Sequence, residues 1–532
     1  MRELPAGSDA TLLDLHAEPF PEATAVRVAR ALRAAVDDGR LPMCDVVVGA
    51  DTVLVEALPG AGLDRLSILR IARDARAHAP GTDPATDSAA SPLTVPTVYD
   101  GADLASAADL AGVSTDRLIR AHSRVVWTVQ FMGFAPGFGY LVPHPDADAD
   151  DTAILARITR RAQSRPSVPA GSVAIAAGYS AVYPRTSPGG WFLLGHTDIP
   201  LWNSAANPPA ALHAGRQVRF VPARADDAHH ARRPALTPAP EASRTHAGLI
   251  VVSTGPLATL QDLGRPGLAH LGVPRSGAAD QFALTQANRL VGNAEHAAAV
   301  EVTLGGWSAR AVGRQLVAVT GPAVDVRVDG VPVGSHCALT LPDGAVIAVA
   351  TPPRGCRNYV AIRGGFDAAP ELGSRAGDVL SVLGPPPLRP GDALPVDDAA
   401  QAWPAVDFAP TAGADGVVEL FADRGPRDDR LEDAAVLTAG RWTVAPASNR
   451  VGVRLVRAGS EPYPAHRADL GEMRSEGVPL GGIQIPPTGH PVIFLTDHPV
   501  TGGYPVAAVL TPESRWRAAQ LVAGDVVRLT FR

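Results

Sequence analysis

Short runs in which apolar and polar residues alternate with period two dominate the chain, and stretches with helical spacing are few. In residues 125–131, Val125, Trp127, Val129 and Phe131 alternate with Val126, Thr128 and Gln130, the signature of a strand with one buried face. Residues 324–329 alternate three valines with Asp325, Arg327 and Asp329, and Asp329-Gly330 is a hairpin-turn pair. Val527, Leu529 and Phe531 alternate with Arg528 and Thr530 at the far end. Residues 45–58 read as two strands around Gly49-Ala50-Asp51. Helical spacing is confined to residues 23–36, 102–111, 114–122, 280–291 and 514–523. The pattern predicts a mainly β chain with an α+β part: a small α+β N-terminal module over 1–76, then β-rich domains over 93–222 and 247–532.

Two polar, Ala- and Pro-rich stretches without periodicity, 223–246 and 77–92, read as linkers between these units. The two later units share an internal repeat. Residues 168–175 and 478–485 both follow V-P-x-G-x-[VI]-x-I, Gly189-Gly190-Trp191 is echoed by Gly502-Gly503-Tyr504, and each copy closes on A-G-x-x-V-R at 214–219 and 523–528. Three markers in the same order at near-equal span predict one barrel-like core present twice.

Composition narrows the chemistry. At 532 residues with 46% hydrophobic content, several domains can each bury a core. The 52 glycines and 50 prolines suit turn-rich β structure better than helix bundles. A net charge of −7 with interspersed signs gives no footprint for nucleic acid. No run reaches the apolar length of a membrane span, and the first residues lack the basic-then-apolar pattern of a signal peptide; a cytoplasmic protein is expected. The three cysteines are scattered, which indicates neither a disulfide framework nor a thiolate metal site. All 47 residues counted as Lys+Arg are arginine. A P-loop lysine, a Schiff-base lysine and a lysine carrying biotin are therefore all excluded from this chain.

Phe131-Met132-Gly133-Phe134-Ala135-Pro136-Gly137-Phe138-Gly139-Tyr140-Leu141, with the Val168 repeat segment, Tyr183-Pro184 and Ser187-Pro188-Gly189-Gly190-Trp191, closely resembles the B component of bacterial-type 5-oxoprolinase. That family includes Kip-type histidine-kinase inhibitors and is also labelled allophanate hydrolase subunit 1. The run Gly255-Pro256-Leu257-Ala258-Thr259-Leu260-Gln261-Asp262-Leu263-Gly264-Arg265-Pro266-Gly267 continues through His270, Ser276-Gly277 and Asp280 and, with residues 475–504, resembles the C component. The C component is similar in turn to the carboxyltransferase domain of urea carboxylase. The resemblance implies fused B and C subunits, cyclophilin-like β-barrels, and two barrel-like halves within 247–532. It further implies ATP-dependent opening of 5-oxoproline to glutamate together with a third subunit, the A component, carried on a separate polypeptide. ATP and Mg²⁺ are the cofactors it implies, with no covalently bound biotin. His196 stands where related B-component chains usually carry Arg.

Hydrolysing an unstrained lactam demands activation of a poor electrophile. ATP can phosphorylate the lactam oxygen, after which water attacks the activated carbon. Such a site needs anion contacts, a cation and a base beside water. His270 and His196 are acid–base candidates because imidazole titrates near neutral pH. Asp262 can serve as a base or bind Mg²⁺. Asp280 offers the same chemistry, although its place before a helical stretch reads first as an N-cap. Arg265 and Ser276 suit a carboxylate or phosphate. Gly137, Gly189, Gly190, Gly502 and Gly503 would let backbone N–H groups approach an anion, or would simply form tight barrel turns. Phe138, Tyr140, Trp191 and Tyr504 can wall a small-molecule pocket or fill a core, and Gln484 completes the set of candidate binding residues.

Two other readings fit parts of the chain. The C-component likeness admits a biotin-dependent carboxyltransferase whose carrier is another chain. The B-component likeness admits a regulatory binding protein, although a fused C component is superfluous to kinase inhibition. Allophanate hydrolysis relies on a Ser-Ser-Lys set, and the lysine is missing.

Overall fold

The computed structural model describes residues 1–77, 91–224, 248–397, 400–404, 406–411 and 416–532. Most of both expected linkers, 77–92 and 223–246, lies outside the described residues.

The N-terminal part is a four-stranded antiparallel sheet in the order Arg2–Pro5, Ala10–Asp14, Thr52–Ala57, Cys44–Val48. Helices Pro21–Asp37 and Arg65–Ala77 accompany it. The first buries Ala25, Val28, Ala29, Leu32 and Ala35, spaced three and four apart, against Val46, Val48, Val53 and Val55. The opposite sheet face, Leu12, Val47 and Leu54, is covered by Ala269 and Val500 from the second half of the chain. Both faces are buried, so the strands over 44–48 and 52–57 read as nearly continuous apolar runs. The helix over 65–77 went unpredicted because Arg and Asp interrupt its narrow apolar stripe.

Two β-barrels carry the repeat. In the first, the strands are Leu93–Thr97, Trp127–Met132, Gly139–Pro143, Ser172–Ala176, Tyr179–Val182, Phe192–His196 and Gln217–Pro222. In the second they are Val418–Arg424, Trp442–Val444, Gly452–Arg457, Gly482–Gln484, Val492–Phe494, Val506–Leu510 and Val526–Phe531. Strand order around both is first, seventh, second, third, fifth, fourth, sixth. In both, the first and seventh strands pair in parallel, against the antiparallel trend of the rest. The second barrel closes fully, whereas the first closes through the single bridge Val98↔His196. These are cyclophilin-like barrels.

The duplication extends to single atoms. Trp127 pairs with Val218 and Trp442 with Val527, and each indole N–H donates to the carbonyl five residues earlier, His122 O at 3.0 Å and Leu437 O at 2.9 Å. Both tryptophans are fully buried. The shared glycine of the V-P-x-G marker, Gly171 in one copy and Gly481 in the other, has φ of +81° and +78°. A side chain there would be strained, which explains why the motif holds glycine twice. Each barrel also carries a short outlying ribbon, Arg165–Val168 with Ser187–Gly189 and Glu476–Gly477 with Thr501–Gly502.

Residues 248–397 fold as two antiparallel sheets of six and five strands packed face to face. Their shared core holds Leu249, Val251, Val300, Trp307, Val317, Ile347 and Val360. Helix Gln281–Leu290 packs Leu284 and Ala287 on the outer face of the five-stranded sheet. Asp329 and Gly330, at φ +50° and +81°, form the expected tight hairpin turn.

Candidate functional site

Three loops meet where the two halves join. Gly137 N–H in the first barrel donates to Leu271 O at 3.0 Å. A Cβ on Gly272 would stand 2.5 Å from Ala135 O, and one on Gly133 would overlap Thr501 Oγ1 of the second barrel. Residues 131–140 are thus held between 268–272 and the 496–504 loop. A small cavity beside them is lined from three units: Glu56 of the N-terminal sheet, Arg275, Ser276 and Gln281 of the middle unit, and Leu480, Thr496 and His498 of the second barrel.

Most of the glycines face protein, not open space. A Cβ on Gly137 would meet the Trp202 ring at 3.2 Å, on Gly189 the Tyr183 hydroxyl, on Gly190 Ser164 Oγ at 2.8 Å, and on Gly502 Gln484 Nε2 at 2.6 Å. Gly503 alone of this set has room, its nearest neighbours lying 3.8 Å away. The aromatics pack together inside the first barrel. Phe138 lies edge-on to Tyr140, Tyr183 and Trp191, and Tyr140 stacks on Phe131 at 4.4 Å between ring centroids. Burial drives the Tyr140 hydroxyl well above its ordinary pKa, so it stays protonated. Tyr504 is 41% exposed, and its carbonyl accepts from Gln484 Nε2 at 3.0 Å.

The charged residues fall into two neighbourhoods. In the first, Ser276, fully buried at φ +54°, donates from Oγ to Asp497 Oδ1 at 2.8 Å. Arg450 clasps the same carboxylate through Nε (2.8 Å) and Nη2 (3.0 Å), reaches Glu301 Oε1 at 2.5 Å, and donates to Gly277 O at 2.7 Å. Glu301 also accepts from the Tyr359 hydroxyl at 2.7 Å. Burial pushes the Glu301 carboxyl up, but Arg450 and Arg357 outweigh it and hold the pKa below the usual range. Asp280 caps its helix by accepting from Ala283 N at 3.0 Å and from Gln520 Nε2 at 2.8 Å; burial raises its pKa to about 6.

In the second neighbourhood, Asp262 accepts from Gly264 N (2.7 Å), Ser374 Oγ (2.6 Å) and Arg375 N (2.6 Å). With three donors engaged it ties residues 374–375 to its own loop. Arg265 is 2% exposed and donates through Nη2 to Ala376 O, while its Nε and Nη1 meet no acceptor among the described residues. Burial lowers its pKa, and Asp378 is the strongest opposing charge. Asp378 uses Oδ1 for Ser381 N at 2.8 Å, leaves Oδ2 bare, and is raised to about 6 by burial with Asp497 adding to the shift. Arg185, from the first barrel, feels the same Asp378 charge, and its buried Nε is likewise bare.

The histidines stand apart from this neighbourhood. His270 Nδ1 donates to Gly267 O at 3.0 Å, and burial, with Arg33 adding, lowers its pKa to about 4. Its other charged neighbours are Asp45 and Asp37 of the N-terminal part. His196 pairs with Asp100 at 2.9 Å on the exposed side of the first barrel, which places it with neither group of charges. Sequence reading missed Arg185, Asp378, Arg450 and Asp497. Only Asp497-His498, close behind the apolar run Val492-Ile493-Phe494-Leu495, carried a signal; the others are single polar residues in irregular loops. Among the described residues no three His, Cys, Asp or Glu side chains gather to hold a metal ion, so no step through Mg²⁺ follows from these residues.

Comparison with known proteins agrees with this architecture. Residues 271–531 match the model of carboxyltransferase domain subdomains A and B, and residues 1–212 that of subdomains C and D. The chain belongs to the carboxyltransferase-domain family, with C and D ahead of A and B. It is 30% identical over 290 residues to the C component of Escherichia coli K12 5-oxoprolinase, across 52% of this chain and 89% of that one. It is 42% identical over 133 residues to the B component of the E. coli O157:H7 enzyme, across 24% of this chain and 57% of the relative. Urea amidolyase of Lachancea kluyveri is 31% identical over 52% of this chain, which spans only 16% of that protein. Among solved structures, TTHA0988 superposes with a TM-score of 0.83 at 29% identity, covering 98% of this chain and 99% of that one. No described helix is long and apolar enough to cross a membrane.

Proposed function

We propose that this chain is the fused B and C component of an ATP-dependent 5-oxoprolinase, opening 5-oxoproline to glutamate with a separate A component. The reading rests on one observation: a half like the B component and a half like the C component meet in one polypeptide through loops that pack directly on each other, at Gly137–Leu271, Gly272–Ala135 and Gly133–Thr501. ATP activation of the lactam oxygen, and the cytoplasm as the place of reaction, belong to this proposal. Asp378 and Asp280 are both carboxyls whose pKa burial raises to about 6.

Co-expression with an A-component homologue tests the proposal. Glutamate should form from 5-oxoproline only with ATP and only when both chains are present. Consumption of carboxybiotin in the presence of urea, without glutamate formation, would favour the urea carboxylase-like reading instead. Capture of a histidine kinase, with 5-oxoproline use intact after deletion, would favour the regulatory one.

A further inference from the structure

Three units press together around the small cavity beside Ser276, and each brings to it a polar group without a partner. His498 of the second barrel is 8% exposed and lines the cavity. Its Nδ1 lies 2.9 Å from Pro499 O, a carbonyl that can only accept, so Nδ1 carries the proton. Burial holds the imidazole pKa below its ordinary value, so the ring is neutral and Nε2 keeps its lone pair. No residue among those described donates to that atom.

Gln281 of the middle unit, the first residue of its helix, is 9% exposed. Its side-chain amide has no partner among the described residues. Glu56 of the N-terminal sheet accepts from Leu480 N at 2.8 Å through Oε1, whereas its Oε2 lies 3.9 Å from Arg275 Nη2, beyond hydrogen-bond reach. Arg275 turns Nε and Nη2 to Asp45 instead, at 3.2 and 2.8 Å. His498, Gln281 and Glu56 all line this cavity.

The cavity offers about 10 Å³ to a water-sized sphere, room for one molecule and no more. That size excludes a lactam, a nucleotide or a phosphate. The His498 lone pair and the Glu56 carboxylate oxygen each need a hydrogen, and a Gln281 N–H needs a lone pair. One water supplies all three at once. A cation fits worse, because the Arg275 guanidinium lines the same cavity and like charges repel strongly where burial lowers the dielectric.

We infer that this cavity is a binding site for one water molecule, which bridges His498 Nε2, Glu56 Oε2 and the Gln281 amide. It fastens the N-terminal sheet, the middle unit and the second barrel at a single point. The site is complete only with both halves of the chain in place, since Glu56 comes from the first and His498 and Gln281 from the second. The water belongs to the joint whatever reaction the chain serves.

A crystal structure of the intact chain, at a resolution that orders solvent, tests it together with nitrogen NMR of the chain labelled at histidine. One solvent peak should lie within hydrogen-bond distance of all three groups. His498 should show a protonated Nδ1 and a bare Nε2 from about pH 6 to about pH 8. His498→Phe and Gln281→Met, which keep bulk and remove a partner, should each lose the peak. No peak in the wild type, a peak that misses any of the three groups, the opposite tautomer, or a peak retained in both variants overturns the site. A peak with the short contacts of a metal ion overturns the choice of water. The wild-type crystal and the tautomer decide the matter even where a variant fails to fold.

Discussion

Replacing Arg450 with Met should destabilise the junction more than most core substitutions, and in a pH-dependent way. Among the described residues Arg450 makes the ion pair to Asp497 of the second barrel, shares Glu301 of the middle unit with Arg357, and holds Gly277 O. Removing it leaves two carboxylates in the interior with one guanidinium between them. Breaking a buried pair in this way costs about 3–5 kcal/mol, far above an exposed ion pair. The sign with pH follows from the shifts. In the wild type the Glu301 carboxyl is held below its ordinary range, so its contribution is fully present above the unfolded-state pKa and is lost as pH falls through the folded one. In the variant the stranded carboxyls shift upward, so their contribution is present at low pH and lost as pH rises. The deficit of Arg450→Met should therefore be larger near about pH 8 than near about pH 5. Urea unfolding followed by the fluorescence of Trp307 and Trp442, one in each unit joined by Arg450, reports it. A loss under about 1 kcal/mol, or a deficit that does not change with pH, would refute the reasoning.

Three further outcomes follow from the packing. His122 is locked between the Tyr99 hydroxyl and Ser180 Oγ, both at 2.8 Å, and burial lowers its pKa to about 3. The wild type should accordingly lose stability as pH falls below about 6.5, by up to ~1.4 kcal/mol per pH unit, and His122→Phe should remove one proton's worth of that slope; identical slopes would contradict the assignment. Gly133→Ala places a methyl on Thr501 Oγ1 and should weaken contact between the halves, with Thr501→Gly restoring it; a neutral Gly133→Ala in thermal melting argues against that contact. Trp127→Phe and Trp442→Phe each lose one indole hydrogen bond at equivalent barrel positions, and each should cost about 1–3 kcal/mol; widely unequal losses would mean the two barrels are not equivalent there.

Much of the β architecture was legible because period-two alternation reports half-buried strands directly. Residues 125–131 and 527–531 lie largely on such strands, one in each barrel. The repeat was readable because its markers are backbone constraints: Gly171 and Gly481 share one left-handed conformation, which sequence records as glycine. Asp280 was legible as a cap because capping is local. The site was harder to see. Arg265 and Ser276 were singled out in a Gly- and Pro-rich loop, but the charges around them, Asp378, Arg450 and Asp497, come from distant segments, 221 residues away for the Ser276–Asp497 hydrogen bond. No local pattern encodes such meetings. His196 and His270 were singled out on side-chain chemistry alone; the fold gives one an exposed carboxylate and the other a carbonyl three residues earlier in its own loop.

The central claim is that neither half suffices and that their junction makes the working unit. Cutting the chain at a protease site introduced within 225–247, then assaying glutamate formation with the A component, tests this most directly. The cut halves should stay together, because Arg427–Asp14, Arg515–Asp9 and Arg275–Asp45 tie the first 77 residues to the second half through buried pairs, and the assembly should remain active. Each half purified alone should give no glutamate. Full activity from either half alone with the A component would contradict the account.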